Sequence, residues 1–105
     1  MNIGIDLVEI SRIGKLYDEY GDKFLRKFMT EFEMNETKTK SDIPRYAAKC
    51  WAVKEASIKA TNITDMKRFT YAKCGDKPVV LEFDNVHISL SDEKNSVVAI
   101  AIFTG

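Results

Sequence analysis

The stretch Trp51–Ala60, WAVKEASIKA, decides the fold because it lies in the longest helical pattern of the chain. Its alanines, lysines and glutamate favour a helix. Upstream, the segment Ser41-Asp42-Ile43-Pro44 supplies a candidate for the helix cap, and its proline suits the first turn. The pattern therefore predicts one long helix over about residues 44–60.

Two charged side chains stand on an unusual strip of this helix. At about 100° per residue, Glu55 and Lys59 align with Ala48 and Ala52. Small side chains let another backbone or a ligand come close. An ordinary glutamate–lysine pair one turn apart would add only about 0.2–0.5 kcal/mol of stability and would not explain the alanines. From the helix alone, an ion pair and a ligand site are both open.

Patterns on either side of the long helix account for the rest of the chain. Before it, they predict a strand over 3–7, a helix over 9–20 and a short helix capped by Asp22. The capping box Thr30-Glu31-Phe32-Glu33 then opens a third helix, and a polar loop follows over 35–42. After it, they predict strands over 69–73, 79–83, 87–91 and 97–103, with turns over 75–78 and 91–95. One strand, then helices, then a run of strands indicates an α+β fold with a mainly antiparallel sheet. We expect a single domain over residues 1–105.

The composition argues against several classes of protein. Lys plus Arg equals Asp plus Glu at 16 each, and this balance argues against nucleic acid as the main partner. No apolar run approaches the roughly 20 residues that cross a bilayer. The N-terminus lacks the basic and apolar regions of a signal peptide. Cys50 and Cys74 stand alone, which is typical of reduced thiols in a cytoplasmic protein.

Asp6 and His87 are further polar residues that invite explanation. Asp6 lies in the middle of the apolar strand 3–7, so its face looks out to water or it pairs with a lysine. His87, the only histidine, shares a strand face with Ser89 and Ser91. A lone histidine near serines is more often a satisfied surface residue than a catalyst. One histidine and two isolated cysteines are too few for a zinc site.

Asp6, Glu55 and Lys59 together have the chemistry of a magnesium–pyrophosphate site. Carboxylates without nitrogen or sulfur ligands suit Mg²⁺, which takes a few protein oxygens together with substrate phosphates. A lysine one turn from such a carboxylate can reach a phosphate. The site forms only if the first strand and the long helix meet, and sequence spacing does not decide that.

Three blocks in a fixed order make the chain resemble the holo-acyl-carrier-protein synthase family. They are GIDLVEISRI over 4–13, WAVKEA over 51–56 with Lys59 after it, and HISLS over 87–91. The segments TEFE over 30–33 and GDKP over 75–78 also match, so the resemblance covers nearly the whole chain. It implies transfer of the 4′-phosphopantetheine arm of coenzyme A to a serine of acyl carrier protein, with release of 3′,5′-ADP, for fatty acid and lipid biosynthesis.

The same resemblance implies roles for individual residues. Asp6 and Glu55 would bind Mg²⁺ together with the coenzyme A pyrophosphate, and Lys59 would contact phosphate. The serine proton would leave through Glu55 or through a water on the metal, and both routes stay open. Further contacts with coenzyme A are implied for a set of four residues: Lys54, Pro78, His87 and Ser89.

Partners also follow from the resemblance. Arg12 and Lys15 stand where the family presents basic residues to its acidic carrier protein, although an ordinary solvated face is the alternative. The family is typically a homotrimer with active sites between subunits. The strand over 97–103 suits this arrangement because both of its faces are apolar.

Three positions depart from the family pattern. Cys50 replaces a common arginine, Thr61-Asn62-Ile63 replaces a glycine-rich turn, and Asp92 replaces a frequent second histidine. We expect them to shape the nucleotide end of the site, and so to affect coenzyme A affinity more than metal binding. They also leave two other functions open: a non-catalytic module that binds carrier protein or nucleotide, and an assembly module whose charges only form ion pairs.

Overall fold

A long helix packed on a three-stranded antiparallel sheet forms the centre of the fold. The computed structural model describes residues 1–105. In chain order the elements are β1 (Asn2–Glu9), α1 (Ile10–Tyr20), α2 (Asp22–Leu25), α3 (Glu31–Thr37), α4 (Ile43–Thr61), a 3₁₀ turn (Met66–Arg68), β2 (Tyr71–Cys74), β3 (Lys77–Val80), β4 (Val86–Asp92) and β5 (Ser96–Phe103). The sheet has the order β1-β5-β4, and β2 pairs with β3 in a separate antiparallel hairpin. The predicted α+β class is confirmed.

The ends of α3 and α4 follow the capping signals in the sequence. Thr30 and Glu33 form the predicted capping box, in which the Thr30 amide donates to Glu33 Oε1 at 2.8 Å. Asp42 caps α4 by accepting from the Arg45 amide at 3.1 Å. At the other end, Asn62 takes the left-handed conformation (φ 64°) that closes the helix. The long helix is therefore confirmed, with bounds one residue wider at each end.

Several predicted boundaries are wrong by a few residues. Asp22 does not cap α2 but is its first residue, because Gly21 stands at the cap. The polar loop begins only after Thr37, since the Thr37 hydroxyl is buried and donates to the Met34 carbonyl at 2.6 Å. In the hairpin of β2 and β3, the turn is confined to residues 75–76, because β3 already begins at 77. Likewise, β2 begins at 71 and β3 ends at 80.

The core depends on a very close approach between β1 and α4. A Cβ added at Gly4 would lie 2.1 Å from the Ala56 carbonyl oxygen and 2.9 Å from the Lys59 Cβ. The helix presents Ala52, Ala56 and Ala60 to the interior, and all three are fully buried or nearly so. Small residues on both partners therefore let the two backbones touch, with Gly4, Asp6 and Val8 on the strand face turned toward the helix.

The opposite side of the sheet is an apolar surface, here called the outer face. Ile3, Ile5 and Leu7 are exposed on it by 60%, 57% and 70%. They lie opposite Ile102, Ile100 and Val98 of β5, and beyond these opposite His87, Ser89 and Ser91 of β4. Exposed apolar residues in one contiguous group are typical of an interaction surface. No helix of the structure is long and apolar enough to cross a membrane.

Gly4→Ala should lower the free energy of unfolding by about 1–3 kcal/mol, because the new methyl group meets backbone atoms that cannot move aside. Urea unfolding followed by circular dichroism measures this change. Gly14→Ala on α1 is the matched control, since a Cβ there meets Pro44 at an ordinary 3.6 Å. The control should be neutral or add up to about 1 kcal/mol through helix propensity. Equal destabilisation in both variants would contradict the close approach.

Candidate active site

Asp6 and Lys59 meet where β1 lies against α4. Lys59 Nζ donates to the Ile5 carbonyl at 2.8 Å and lies 3.3 Å from Asp6 Oδ1. Of the two environments that the sequence left open for Asp6, the structure shows the pairing with a lysine. Glu55 and Lys59 form no ion pair, because the lysine turns toward the strand instead.

The second carboxylate oxygen of Asp6 has no partner. The side chain is only 16% exposed, and Oδ2 is buried without a hydrogen bond. Burying an unpaired carboxylate oxygen is costly, so this atom is suited to a cation or a donor that arrives with a ligand. An all-oxygen donor set of this kind fits Mg²⁺. No group of three or more His, Cys, Asp or Glu side chains is placed to hold a metal, so the remaining ligands would come from substrate or water.

Glu55 supplies a second free carboxylate beside this pair. It is half-buried on α4, one turn before Lys59, and it makes neither an ion pair nor a hydrogen bond. Residues four apart on a helix are surface neighbours, with Cβ atoms roughly 5–6 Å apart. Glu55 therefore lies one turn from the Asp6–Lys59 pair along α4, and Asp6, Glu55 and Lys59 are here called the patch.

Lys54 is not available to a cofactor, so that expectation is wrong. Its side chain is fully buried, and Nζ lies 2.7 Å from Glu33 Oε1. The ammonium also donates to the Met66 carbonyl at 3.2 Å and to the Phe69 carbonyl. All three of its donors are thus used inside the protein, on the buried side of α4.

His87 and Pro78 lie together, but apart from Asp6. Both line a cleft of about 410 Å³ along β3 and β4. His87 and Ser89 are exposed on the outer face of the sheet, whereas Asp6 lies on the face turned toward α4. Within one chain, Pro78 and His87 therefore form one group and Asp6 and Lys59 another, with Glu55 one turn from Lys59 on α4.

Two of the three departures from the family pattern have structural roles. Cys50 is fully buried, and burial raises the pKa of its thiol far above the usual range. It packs in the core and does not line the site, contrary to the expectation. Asp92 Oδ2 lies 2.7 Å from Arg45 Nη1, and this hydrogen bond raises the pKa of the guanidinium. Lys49 Nζ is 3.9 Å from the same carboxylate.

The third departure is the segment Thr61-Asn62-Ile63 at the end of α4, where Asn62 adopts a conformation that is typical of glycine. Its positive φ of 64° gives the left-handed turn that a glycine would otherwise supply. The Thr61 hydroxyl steadies this turn by donating to the Ser57 carbonyl at 2.8 Å and accepting from the Ile63 amide at 3.1 Å. The turn after α4 is therefore retained without glycine.

A cavity of about 290 Å³ lies among α3, the start of α4 and β2, and none of the three patch residues lines it. Its walls include Tyr46 and Tyr71. Burial raises the pKa of Tyr71 to about 12, and the pKa of Tyr46 is raised further still by burial. Both phenols are therefore protonated at neutral pH, so they add no charge to the lining of the cavity.

Two groups of interacting charged residues could not be predicted from the sequence. The cluster of Arg45, Lys49 and Asp92 joins the start of α4 to the end of β4, and no local motif indicates it. Glu33 was identified only as part of a capping box, yet its carboxylate also binds Lys54. Arg12 and Lys15, which were identified, are exposed on α1 and make no ion pair.

Comparison with known proteins gives one consistent result. The model of the 4′-phosphopantetheinyl transferase superfamily matches residues 2–103. The chain is 35% identical to a holo-[acyl-carrier-protein] synthase of Chlorobaculum tepidum, over 98% of this chain and 97% of that protein. A holo-(acyl-carrier-protein) synthase of Bacillus anthracis, solved in complex with CoA (3′,5′-ADP), is 29% identical with a TM-score of 0.84, covering 97% of this chain and 94% of that one. The fold also matches the Neisseria meningitidis synthase, with a TM-score of 0.89, 24% identity and coverage of 99% and 98%.

The native protein should expose one reactive thiol. Cys74 is exposed and Cys50 is buried with a raised pKa, and the thiolate is the reactive form. A chromogenic disulfide reagent at pH 8 should therefore modify about one thiol in the native chain and two in denaturant, as these states differ in the access to Cys50. Cys74→Ser should abolish the native reaction, whereas Cys50→Ser should leave it unchanged. Rapid native labelling of Cys50 would contradict its placement in the core.

Proposed function

We propose that this chain, because it belongs to the 4′-phosphopantetheinyl transferase superfamily, transfers the 4′-phosphopantetheine group of coenzyme A to a serine of apo acyl carrier protein. The products would be holo carrier protein and 3′,5′-ADP, and the reaction would serve fatty acid and lipid biosynthesis in the cytoplasm. The observation that carries this function is the family match over residues 2–103, which leaves almost no part of the chain unmatched. Residues 1–105 would act as a single transferase domain.

Asp6 and Glu55 are the proposed ligands of Mg²⁺. The support is the orphaned Asp6 Oδ2 and the unpaired Glu55 carboxylate, which offer oxygen donors on one patch. When bound, Mg²⁺ would offset the negative charge that develops on the phosphoryl oxygens. Without a cation, two neighbouring carboxylates would repel the pyrophosphate of coenzyme A.

Lys59 and Glu55 are the proposed catalytic residues. The Lys59 ammonium is half-exposed and is anchored by the Ile5 carbonyl, so it keeps a donor for a phosphate oxygen. The carrier serine oxygen attacks the phosphorus that bears the pantetheine arm, and the bond to 3′,5′-ADP breaks. Glu55, which pairs with no other side chain of the protein, can receive the serine proton, and a neighbouring water is the alternative acceptor.

A homotrimer with active sites between subunits is the proposed assembly. Pro78, His87 and Ser89 are proposed to contact coenzyme A, but His87 and Ser89 lie on the opposite face of the sheet from Asp6. One chain therefore holds two half-sites that face different directions, and a neighbouring copy can complete each. The exposed apolar residues of the outer face support this arrangement, since an isolated chain would leave them in water.

Arg12 and Lys15 are the proposed contacts with the acidic carrier protein. Both are exposed on α1, and neither is neutralised by an ion pair within the chain. Free cations on a solvated helix favour association with an acidic surface and make it sensitive to salt.

A non-catalytic binding module on the same scaffold is the second candidate. The observation that favours it is the charge arrangement around Asp92, whose carboxylate occupies Arg45 and Lys49. These cations are then less available to phosphate than free ones. Binding of carrier protein without transfer would follow if this end of the chain no longer held coenzyme A.

Transfer should be detected as a mass gain of one phosphopantetheine on apo acyl carrier protein, after incubation with this protein, coenzyme A and Mg²⁺. Asp6→Asn and Glu55→Gln should each slow the reaction by about 100-fold or more, because each weakens binding of the Mg²⁺ that would offset the negative charge of the transition state. Intact-protein mass spectrometry over time gives the rate, and thermal unfolding shows that the variants stay folded.

Glu31→Gln is the matched control for these variants. It changes an exposed carboxylate in the first turn of α3, outside the proposed site, and should leave the rate unchanged. No mass gain with carriers from several sources, together with retained binding of carrier protein, would replace the transferase with the binding module. Equal loss in all three variants would show that the proposed ligands have no special role.

The outer face should also decide the oligomeric state. Light scattering after gel filtration should give a trimer for the wild-type chain, and Ile5→Lys should give a monomer because it buries an ammonium in the apolar interface. Tyr20→Lys is the control, since Tyr20 is similarly exposed, by 53%, at the far end of α1. A trimer that survives Ile5→Lys but not Tyr20→Lys would place the interface elsewhere.

A further inference from the structure

We propose that the buried ion pair of Glu33 and Lys54 positions Glu55 for metal binding. The pair touches no ligand itself. It would act by fixing the rotation of α4 about its axis at the turn that carries Glu55. This inference rests on the proposed function, since it assigns a role at the same site.

The pair is enclosed and fully hydrogen-bonded. Both side chains have no exposed surface, and Lys54 Nζ lies 2.7 Å from Glu33 Oε1. The three donors of the ammonium are directed at Glu33 and at the carbonyls of Met66 and Phe69. An ammonium whose donors all have fixed acceptors holds its side chain in one conformation.

Glu33 connects three separate segments through the same carboxylate. Its Oε1 accepts from the Thr30 amide at 2.8 Å, and its Oε2 accepts from the Tyr71 amide at 2.7 Å. The carboxylate thus joins the start of α3 and the start of β2 to Lys54 in the middle of α4. Few contacts other than this network connect α3 to α4.

Stability alone is a poor explanation for such a pair. Removing two charges from water costs several kcal/mol per ion, and well-packed apolar residues of similar volume are often as stabilising. What an ion pair adds is direction, because hydrogen bonds restrict the angle at which the side chains meet whereas apolar contacts do not. The pair is therefore suited to hold α4 at a defined rotation.

The direction in which Glu55 points depends on how α4 is rotated about its axis. Its own side chain makes no hydrogen bond or ion pair, so the backbone of α4 sets the direction in which it points. Lys54 precedes it directly, about 100° away around the helix. Functional groups must be held to within roughly 10–20° of the productive angle. An anchor one residue away on the buried side of the helix provides such a limit.

The test measures metal affinity instead of activity. Mn²⁺, which accepts the same oxygen ligands as Mg²⁺, is titrated in the presence of coenzyme A and followed by electron paramagnetic resonance. Glu33→Gln/Lys54→Met removes both charges while keeping one amide oxygen as acceptor and a similar volume. We expect the Kd for Mn²⁺ to rise about 10–100-fold, as it does when residues that orient metal ligands are changed. The KM for carrier protein should stay the same.

The titration separates positioning from folding. A purely structural role would lower the fraction of protein that binds, with the Kd of the folded fraction unchanged. A Kd within about twofold of the wild type would therefore overturn the proposal. If the double variant does not fold, Lys54→Met alone carries the test, because the Glu33 carboxylate keeps the Thr30 and Tyr71 amides as donors while its link to α4 is lost. A Kd unchanged in this variant overturns the proposal equally.

Glu82→Gln is the matched control. Glu82 also accepts hydrogen bonds on the segment before β2, from the Thr70 amide at 2.6 Å and from the Thr70 hydroxyl, but it does not contact α4. It should leave the Kd unchanged, and a rise equal to that of the double variant would overturn the proposal. The proposed metal site itself is wrong if the wild-type protein binds no Mn²⁺, or if Asp6→Asn binds Mn²⁺ as tightly as the wild type. Either result differs from a loss of Mn²⁺ affinity in the double variant alone.

Discussion

The contact between the Gly4 backbone and the turn of α4 from Ala56 to Ala60 is the constraint on which the site depends. Only a residue without Cβ fits there, since an added atom would lie 2.1 Å from the Ala56 carbonyl oxygen. Two residues farther along the strand, the same strand face carries Asp6 to Lys59. The close packing that stabilises the core thus also brings together charges that are 53 residues apart in sequence.

The pairing of Lys59 with Asp6 leaves other groups of the patch without a partner. Lys59 turns to Asp6 and the Ile5 carbonyl, so Glu55 has no partner on its own helix. One oxygen of Asp6 is also left without a hydrogen bond. A folded chain normally satisfies its buried polar groups. The unsatisfied Asp6 oxygen, together with a Glu55 carboxylate that has no partner, is therefore what we expect of a site that a ligand completes.

Each of the three positions that differ from the family pattern has a role in the local structure. Cys50 fills the core, Asn62 supplies a left-handed turn, and Asp92 pairs with Arg45 and Lys49. None of these changes reaches Asp6 or Glu55. The fold has accommodated different residues at these three positions, while the carboxylates of Asp6 and Glu55 are retained.

Local sequence patterns are enough to predict most of the elements and the fold class, and they single out Asp6, Glu55 and Lys59 as candidate site residues. Helix caps at Thr30 and Asp42 and the period-two strands depend on neighbours within a few residues, so they can be read locally. The burial of Lys54, the pairing of Asp92 and the opposite faces of His87 and Asp6 could not be predicted in this way. These features depend on which elements pack together. A long side chain such as that of lysine can extend into water or reach a buried partner, and only the tertiary structure determines which of the two occurs.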